Sequence, residues 1–116
     1  MNNIISLLYG IFFFIIGHIA VFIQINGQFK WEWFQKNQWI VALFGIPISF
    51  LYLWGTKHTA ESMNGVLWPT RFIGFGVGMI VYAVMVSYYF NESITPKVIV
   101  SLILSLALIS INVFWK

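Results

Sequence analysis

His18 is the residue of this sequence best placed to do chemistry inside an apolar environment. It lies within the run FFIIGHIAVF, and no Asp, Glu, Lys or Arg lies as deep in a long apolar stretch. An ionisable group at membrane depth is costly, usually faces the protein interior and often serves a function. Because imidazole titrates near physiological pH, two interpretations stay open. His18 is either a proton-sensitive gate or a neutral ring that is hydrogen-bonded through one nitrogen to a neighbouring helix.

The other reactive side chains do not form a catalytic set. The three carboxylates, Glu32, Glu61 and Glu92, lie in or beside predicted connectors, and cysteine is absent from the sequence. Zinc needs three or four ligands, and haem needs axial ligands on facing helices, whereas His58 is predicted to lie in a connector. No glycine-rich phosphate loop with its lysine is present. We therefore expect no enzyme activity, no cofactor and no metal site.

Four apolar stretches must position His18, and they cover residues 4–25, 39–54, 72–90 and 98–115. A bilayer core about 30 Å thick needs roughly 17–25 helical residues to cross it. Each crossing segment must satisfy its own backbone hydrogen bonds, so helices are expected. The composition agrees, since only 8% of the residues are charged, against about 25% in globular domains. The sequence predicts an all-α, integral membrane four-helix bundle that forms a single domain over residues 1–116.

The cations give no orientation in the membrane. Four spans place both termini on one side, together with the predicted connector 56–71, which is the longest of the three. Three cations fall on each side: Lys57, Arg71 and Lys116 on one, Lys30, Lys36 and Lys97 on the other. The positive-inside rule therefore predicts no orientation. Two alternatives stay open: one weakly specified topology, or insertion in both orientations with antiparallel pairing. A net charge of +3 is too small to indicate nucleic acid, and we expect membrane lipid as the partner of these cations.

Small residues and prolines predict how the helices pack. Gly74 and Gly78 form a G-x-x-x-G motif that lets a neighbouring helix approach closely, and replacing either with Leu should disrupt packing. Gly76 faces another direction and is assigned to a kink or a ligand. Pro47 predicts a kink in the second span. The remaining predictions concern the last span, which Thr95 should cap with Pro96 at its first position, and which presents Ser101 and Ser105 as a small-xxx-small surface.

The second half of the chain carries a family resemblance. Trp68 is followed by the three glycines of the third span, and an aromatic, polar turn at residues 90–96 leads into a proline-started helix over residues 98–112. This pattern resembles the small multidrug resistance-like branch of the drug/metabolite transporter superfamily. The resemblance implies an antiparallel homodimer of four-helix protomers with a substrate chamber between them. Cation exporters of that family carry a glutamate in the first helix, but residues 14–20 here offer only His18.

The resulting functional prediction is a small multi-pass membrane transporter, or a transporter subunit, in the inner (cell) membrane of a bacterium. Without the glutamate, its substrate is expected to be small and neutral, anionic or lipid-linked, and to move by alternating access. Arg71 either attracts an anionic group or extends to the lipid headgroups. The alternative function is a non-transporting subunit or assembly factor that packs against a larger membrane partner. The residues predicted to bind substrate or to gate the chamber are His18, Trp68, Tyr52, Tyr82 and Arg71.

Overall fold

The protein is all-α, with four helical segments long and apolar enough to cross a membrane. The computed structural model describes residues 2–115, so Lys116 lies outside the described residues. A 3₁₀ turn, Gly27–Phe29, follows the first helix. The predicted all-α four-helix architecture is confirmed, and the chain is a multi-pass membrane protein. The helices are α1 (Asn2–Asn26), α2 (Glu32–Lys36), α3 (Gln38–Leu43), α4 (Gly45–Ser62), α5 (Trp68–Phe90) and α6 (Pro96–Phe114).

The connector predicted at residues 56–71 is mostly helical, so the prediction that it is the longest connector is wrong. Helix α4 continues to Ser62 and α5 already begins at Trp68, which leaves residues 63–67 between them. The polar residues Thr59 and Ser62 are buried in the structure rather than exposed in a loop. Hydropathy alone treats such residues as connector, whereas here they belong to a contact between helices.

Two backbone features make the short turn between α4 and α5. Asn64 has φ of 57° and Gly65 has φ of 83°, which are both in the left-handed region. Asparagine and glycine are the residues that tolerate this conformation best. The Asn64-Gly65 turn predicted from the sequence is therefore present, and helix α4 continues almost to it.

The second membrane-crossing segment is interrupted one turn before Pro47. Helix α3 ends at Leu43 and α4 starts at Gly45, with Phe44 between them. Pro47 has no N–H to donate to the carbonyl of Leu43, and its ring crowds that carbonyl. The break therefore falls where the sequence predicts a kink.

Helix α1 is the central element of the bundle, because it packs along α4 on one side and along α5 on the other. Helix α6 packs chiefly on α5 and exposes most of its apolar side chains. Lys30 Nζ donates to the Tyr89 carbonyl at 3.1 Å, which places the connector after α1 beside the end of α5. The buried core joins α1 to α5 through Phe14, Ile73, Val77 and Val81.

Helix α6 begins as predicted. Thr95 has extended backbone angles and its Oγ1 accepts a hydrogen bond from the Val98 N–H at 3.3 Å. Pro96 occupies the first helical position, where a missing N–H is unimportant. The preceding helix, α5, ends at Phe90 and is followed by Asn91, whose φ of 55° is left-handed. The turn between α5 and α6 is therefore determined by local sequence.

Candidate functional site

His18 lies in a groove that the two glycines of the G-x-x-x-G motif open on α5. A Cβ atom added at Gly78 would lie 2.6 Å from His18 Cε1, and one added at Gly74 would lie 3.3 Å from Phe14 Cζ. At Gly78 a side chain would displace the imidazole, and at Gly74 it would press on the Phe14 ring, so the absence of side chains at these two positions lets α1 approach closely. The neighbouring helix that the motif predicts is therefore α1, with Phe14 over the first glycine and His18 over the second.

Both ring nitrogens of His18 are hydrogen-bonded. Nε2 lies 2.9 Å from the Gly74 carbonyl oxygen and Nδ1 lies 3.0 Å from the Tyr52 hydroxyl. A carbonyl can only accept, so Nε2 carries a proton, and in the neutral ring Nδ1 then accepts the hydrogen of the Tyr52 hydroxyl. This arrangement uses a neutral ring, and it connects α1 to both α4 and α5. The sequence led us to expect a hydrogen bond through one ring nitrogen, and the Tyr52 contact adds a second.

The contact between α1 and α4 depends on glycines in the same way. A Cβ atom at Gly55 would lie 2.9 Å from Phe14 Cδ1, so the Phe14 ring is wedged between a glycine of α4 and a glycine of α5. One helical turn earlier, Gly10 meets Thr59, whose Oγ1 is buried without a hydrogen-bond partner among the described residues. These close contacts fix the position of α1, and with it the position of His18.

A cavity of about 460 Å³ lies between the three helices, and His18 is part of its wall. Helices α4 and α5 contact each other less than each contacts α1, so they form the two sides of the cavity and α1 forms its floor. The apolar lining consists of Phe14, Phe75 and Gly74. The polar lining consists of His18, Tyr52, Thr56, Thr70 and Arg71.

The charge of this cavity is positive. Arg71 is the charged side chain of its lining, and no carboxylate of the described residues lines it. Glu32 pairs with Lys36 at 2.8 Å. Glu61 lies 3.7 Å from Nδ1 of His58, on its own helix. The cavity therefore contains no acid that could bind a cationic substrate.

Three of the five residues predicted to bind substrate come together here, namely His18, Tyr52 and Arg71. Trp68 is 73% exposed and stacks on Phe72, with 5.8 Å between ring centroids. Tyr82 makes an edge-on contact with Phe22 at 5.2 Å and lines a separate cavity of about 320 Å³ between α5 and α6. A role for Trp68 or Tyr82 in binding stays a prediction.

The residues assigned to packing on α6 have different environments. Ser105 is buried, and its carbonyl oxygen lies 3.0 Å from where a Cβ of Gly76 would lie. Gly76 therefore accommodates α6, and this helix contact corrects the kink or ligand expected for this glycine. Ser101 is exposed and donates to the Lys97 carbonyl of its own helix at 3.0 Å.

His58 lies on α4, not in a connector, which corrects the sequence interpretation. Its ring stacks on Phe13 of α1, with centroids 5.6 Å apart and an interplanar angle of 15°. It is not part of the cavity that contains His18. His58 is helical because α4 continues beyond residue 56.

Sequence reasoning missed two hydroxyl residues of the cavity, Thr56 and Thr70. Thr56 lies four residues after Tyr52, and Thr70 lies four residues before Gly74. Residues four apart share a helix face, so this spacing could have placed both threonines beside the residues that were identified.

Searches of protein-family models, of curated proteins and of solved structures find no match to this chain.

Proposed function

We propose that this chain is a small membrane transporter or transporter subunit of drug/metabolite superfamily type, which moves a small neutral, anionic or lipid-linked substrate by alternating access. The observation that carries the proposal is the cavity of about 460 Å³ with its five polar side chains. Ligand sites typically have a volume of about 300–1,000 Å³ and place a few polar groups in an apolar wall. Among these five side chains, His18 is an ionisable residue within a membrane span, where such a group is costly and by default indicates a function.

The helices around the cavity are suited to an opening movement. His18 provides the polar links across the cavity, to Tyr52 on α4 and to Gly74 on α5. A substrate that hydrogen-bonds to the Tyr52 hydroxyl competes with His18 for it and loosens α4 from α1. The break at Phe44, between α3 and α4, gives this membrane segment a place to bend. In this mechanism α4 moves against α5, while α1 stays packed on α5 at Gly74 and Gly78.

We further propose that the transporter works as an antiparallel homodimer in a bacterial inner membrane. The family resemblance and the equal numbers of cations predicted on the two sides support this part of the proposal. The exposed apolar side chains of α6 offer a surface for the second protomer.

The same exposed face of α6 supports a second candidate function, a non-transporting subunit or assembly factor that packs against a larger membrane protein. The oligomeric state in mild detergent discriminates between the two. A stable homodimer favours transport, whereas a monomer that copurifies with one larger membrane protein favours the second candidate.

The direct test is flux into proteoliposomes. Purified protein would be reconstituted and offered a panel of radiolabelled organic anions, neutral sugars and short-chain phospholipids. We expect saturable uptake of at least one class, lost in Tyr52→Phe because the hydroxyl that contacts His18 is gone. Tyr88→Phe is the matched control, since Tyr88 is exposed and lies outside the cavity. The proposal fails if no class shows saturable uptake, or if Tyr52→Phe and Tyr88→Phe transport equally well.

A further inference from the structure

We infer that the ligand of the cavity between α1, α4 and α5 is an organic anion, in which a phosphate or carboxylate binds Arg71 and an apolar part lies against Phe14 and Phe75. This inference rests on the proposed function, because it names the substrate class of the same site.

The distribution of charge is the first argument. Arg71 is the charged residue of the cavity lining, and its guanidinium makes no salt bridge with any carboxylate of the described residues. An unpaired guanidinium beside a cavity attracts anions and repels cations. Guanidinium also matches phosphate and carboxylate geometrically, because it donates two parallel hydrogen bonds.

The position of Arg71 on α5 is the second argument. It is the fourth residue of the helix, so it lies in the first turn, where unpaired backbone N–H groups add partial positive charge. Arg71 precedes Gly74 by three residues, or about 4.5 Å along the axis. The charged headgroup would therefore bind nearer the connector end of the cavity, and the rest of the ligand would extend toward His18.

The hydrogen-bonding state of the other polar residues is the third argument. The Nε2 proton of His18 is used by Gly74, and the hydroxyl proton of Tyr52 is used by His18. Thr70 donates to the Leu67 carbonyl at 2.7 Å. These three residues therefore do not bind the headgroup in the structure as it stands, and Arg71 and the Thr56 hydroxyl are the donors available to it. The two phenylalanine rings offer no polar atom, which selects a ligand with an apolar part.

Two sources could supply this chemistry, a membrane lipid with an anionic headgroup or a water-soluble organic anion. The test uses one probe for each, dihexanoyl phosphatidic acid and phenyl phosphate, with benzyl alcohol as the uncharged comparison. Binding to the protein in nanodiscs of zwitterionic lipid would be measured by titration calorimetry at 0.15 M salt.

We expect at least one of the two anions to bind, and Arg71→Gln to weaken that binding by about 10- to 100-fold, since a charge-assisted hydrogen bond is lost. Arg71→Lys should recover part of the affinity. Lys57→Gln is the matched control, because Lys57 lies on α4 near the same end but outside the cavity lining. Screening at this salt concentration should limit the effect of the control to about twofold or less. Equal thermal unfolding of the Arg71 and Lys57 variants would show that both are folded.

Binding of phosphatidic acid alone assigns the site to a lipid headgroup, and binding of phenyl phosphate alone assigns it to a soluble anion. The inference is overturned if neither anion binds, if benzyl alcohol binds as tightly as phenyl phosphate, or if Lys57→Gln weakens binding as much as Arg71→Gln. That last result would mean that Arg71 only extends to the headgroups. Arg71-dependent binding without flux would refute the transport proposal and support the anion site. Flux of a neutral sugar that Arg71→Gln leaves unchanged would support transport and refute the anion site.

Discussion

Replacing Gly78 with alanine should displace His18 from its groove, because the new methyl group and the imidazole would occupy the same space. The alanine Cβ would lie 2.6 Å from His18 Cε1 and 2.9 Å from Nε2, whereas non-bonded heavy atoms are normally about 3.5–4.0 Å apart. The ring must therefore move by roughly 1 Å. Its hydrogen bond to the Gly74 carbonyl is 2.9 Å long and would not survive such a movement.

The expected destabilisation is about 1–2 kcal/mol. Overpacking of a close contact costs about 1–3 kcal/mol, and an interhelical hydrogen bond in a membrane contributes about 0.6 kcal/mol. The better helix propensity of alanine offsets up to about 1 kcal/mol of this. Gly74→Ala should cost less, because the nearest atom, Phe14 Cζ, is 3.3 Å away. Gly45→Ala is the control, since its Cβ would meet only Gln24 Nε2, at 3.5 Å.

A double-mutant cycle of Gly78→Ala with His18→Ala tests the cause directly. Removal of the imidazole leaves room for the methyl group, so the double variant should be more stable than the sum of the two single effects by about 1 kcal/mol or more. The measurement is the free energy of unfolding in mild detergent titrated with dodecyl sulfate, followed by tryptophan fluorescence. Single effects that add within about 0.5 kcal/mol would refute the proposed clash.

Three further predictions follow from the same contacts. Gly10→Ala should be at least as destabilising as Gly78→Ala, because its Cβ would overlap Thr59 Oγ1 and lie 2.9 Å from the Thr59 backbone nitrogen. Thr59→Ala should fail to rescue Gly10→Ala in the same unfolding assay, because the backbone nitrogen remains, whereas His18→Ala should rescue Gly78→Ala. Thr95→Ala should cost about 1 kcal/mol through loss of the cap on α6, and Thr95→Ser should retain most of the stability, whereas equal losses in both variants would exclude capping as the cause. If substrate binding or transport varies between about pH 5 and 8, where an imidazole titrates, His18→Gln should remove that variation; an unchanged pH profile would show that His18 is only a structural residue.

The sequence predicted the parts of this structure that depend on the bilayer as a solvent and on local backbone chemistry. Long apolar stretches had to be helices, and the cap at Thr95 and the turn at Asn64 depend on neighbouring residues alone. The end of the second membrane helix was predicted incorrectly, because Thr59 is polar by composition but fully buried against α1. Such burial depends on a glycine some fifty residues away in the sequence, at Gly10, and no local pattern reports it.

The candidate site was predictable in its residue types but not in its partners. The cost of a buried imidazole predicted that His18 faces the interior, and the G-x-x-x-G motif predicted a close neighbour for Gly74 and Gly78. Neither observation alone predicts that His18 contacts the glycines of α5. That result depends on the register of α1 against α5, which the packing of Phe14 and the core determines. Tyr52 joins the site for the same reason, through the register of α4.

The position of the cavity has a consequence for any dimer. The lining comes entirely from α1, α4 and α5 of one chain, whereas α6 presents the exposed apolar face. A second protomer that packs on α6 would leave the cavity complete within each chain. The family resemblance implies a chamber shared between two protomers, and the geometry of this chain favours a site within each. In the proposed alternating-access cycle, α4 would then move against α5 within each chain, and a second protomer on α6 would not contribute to the site.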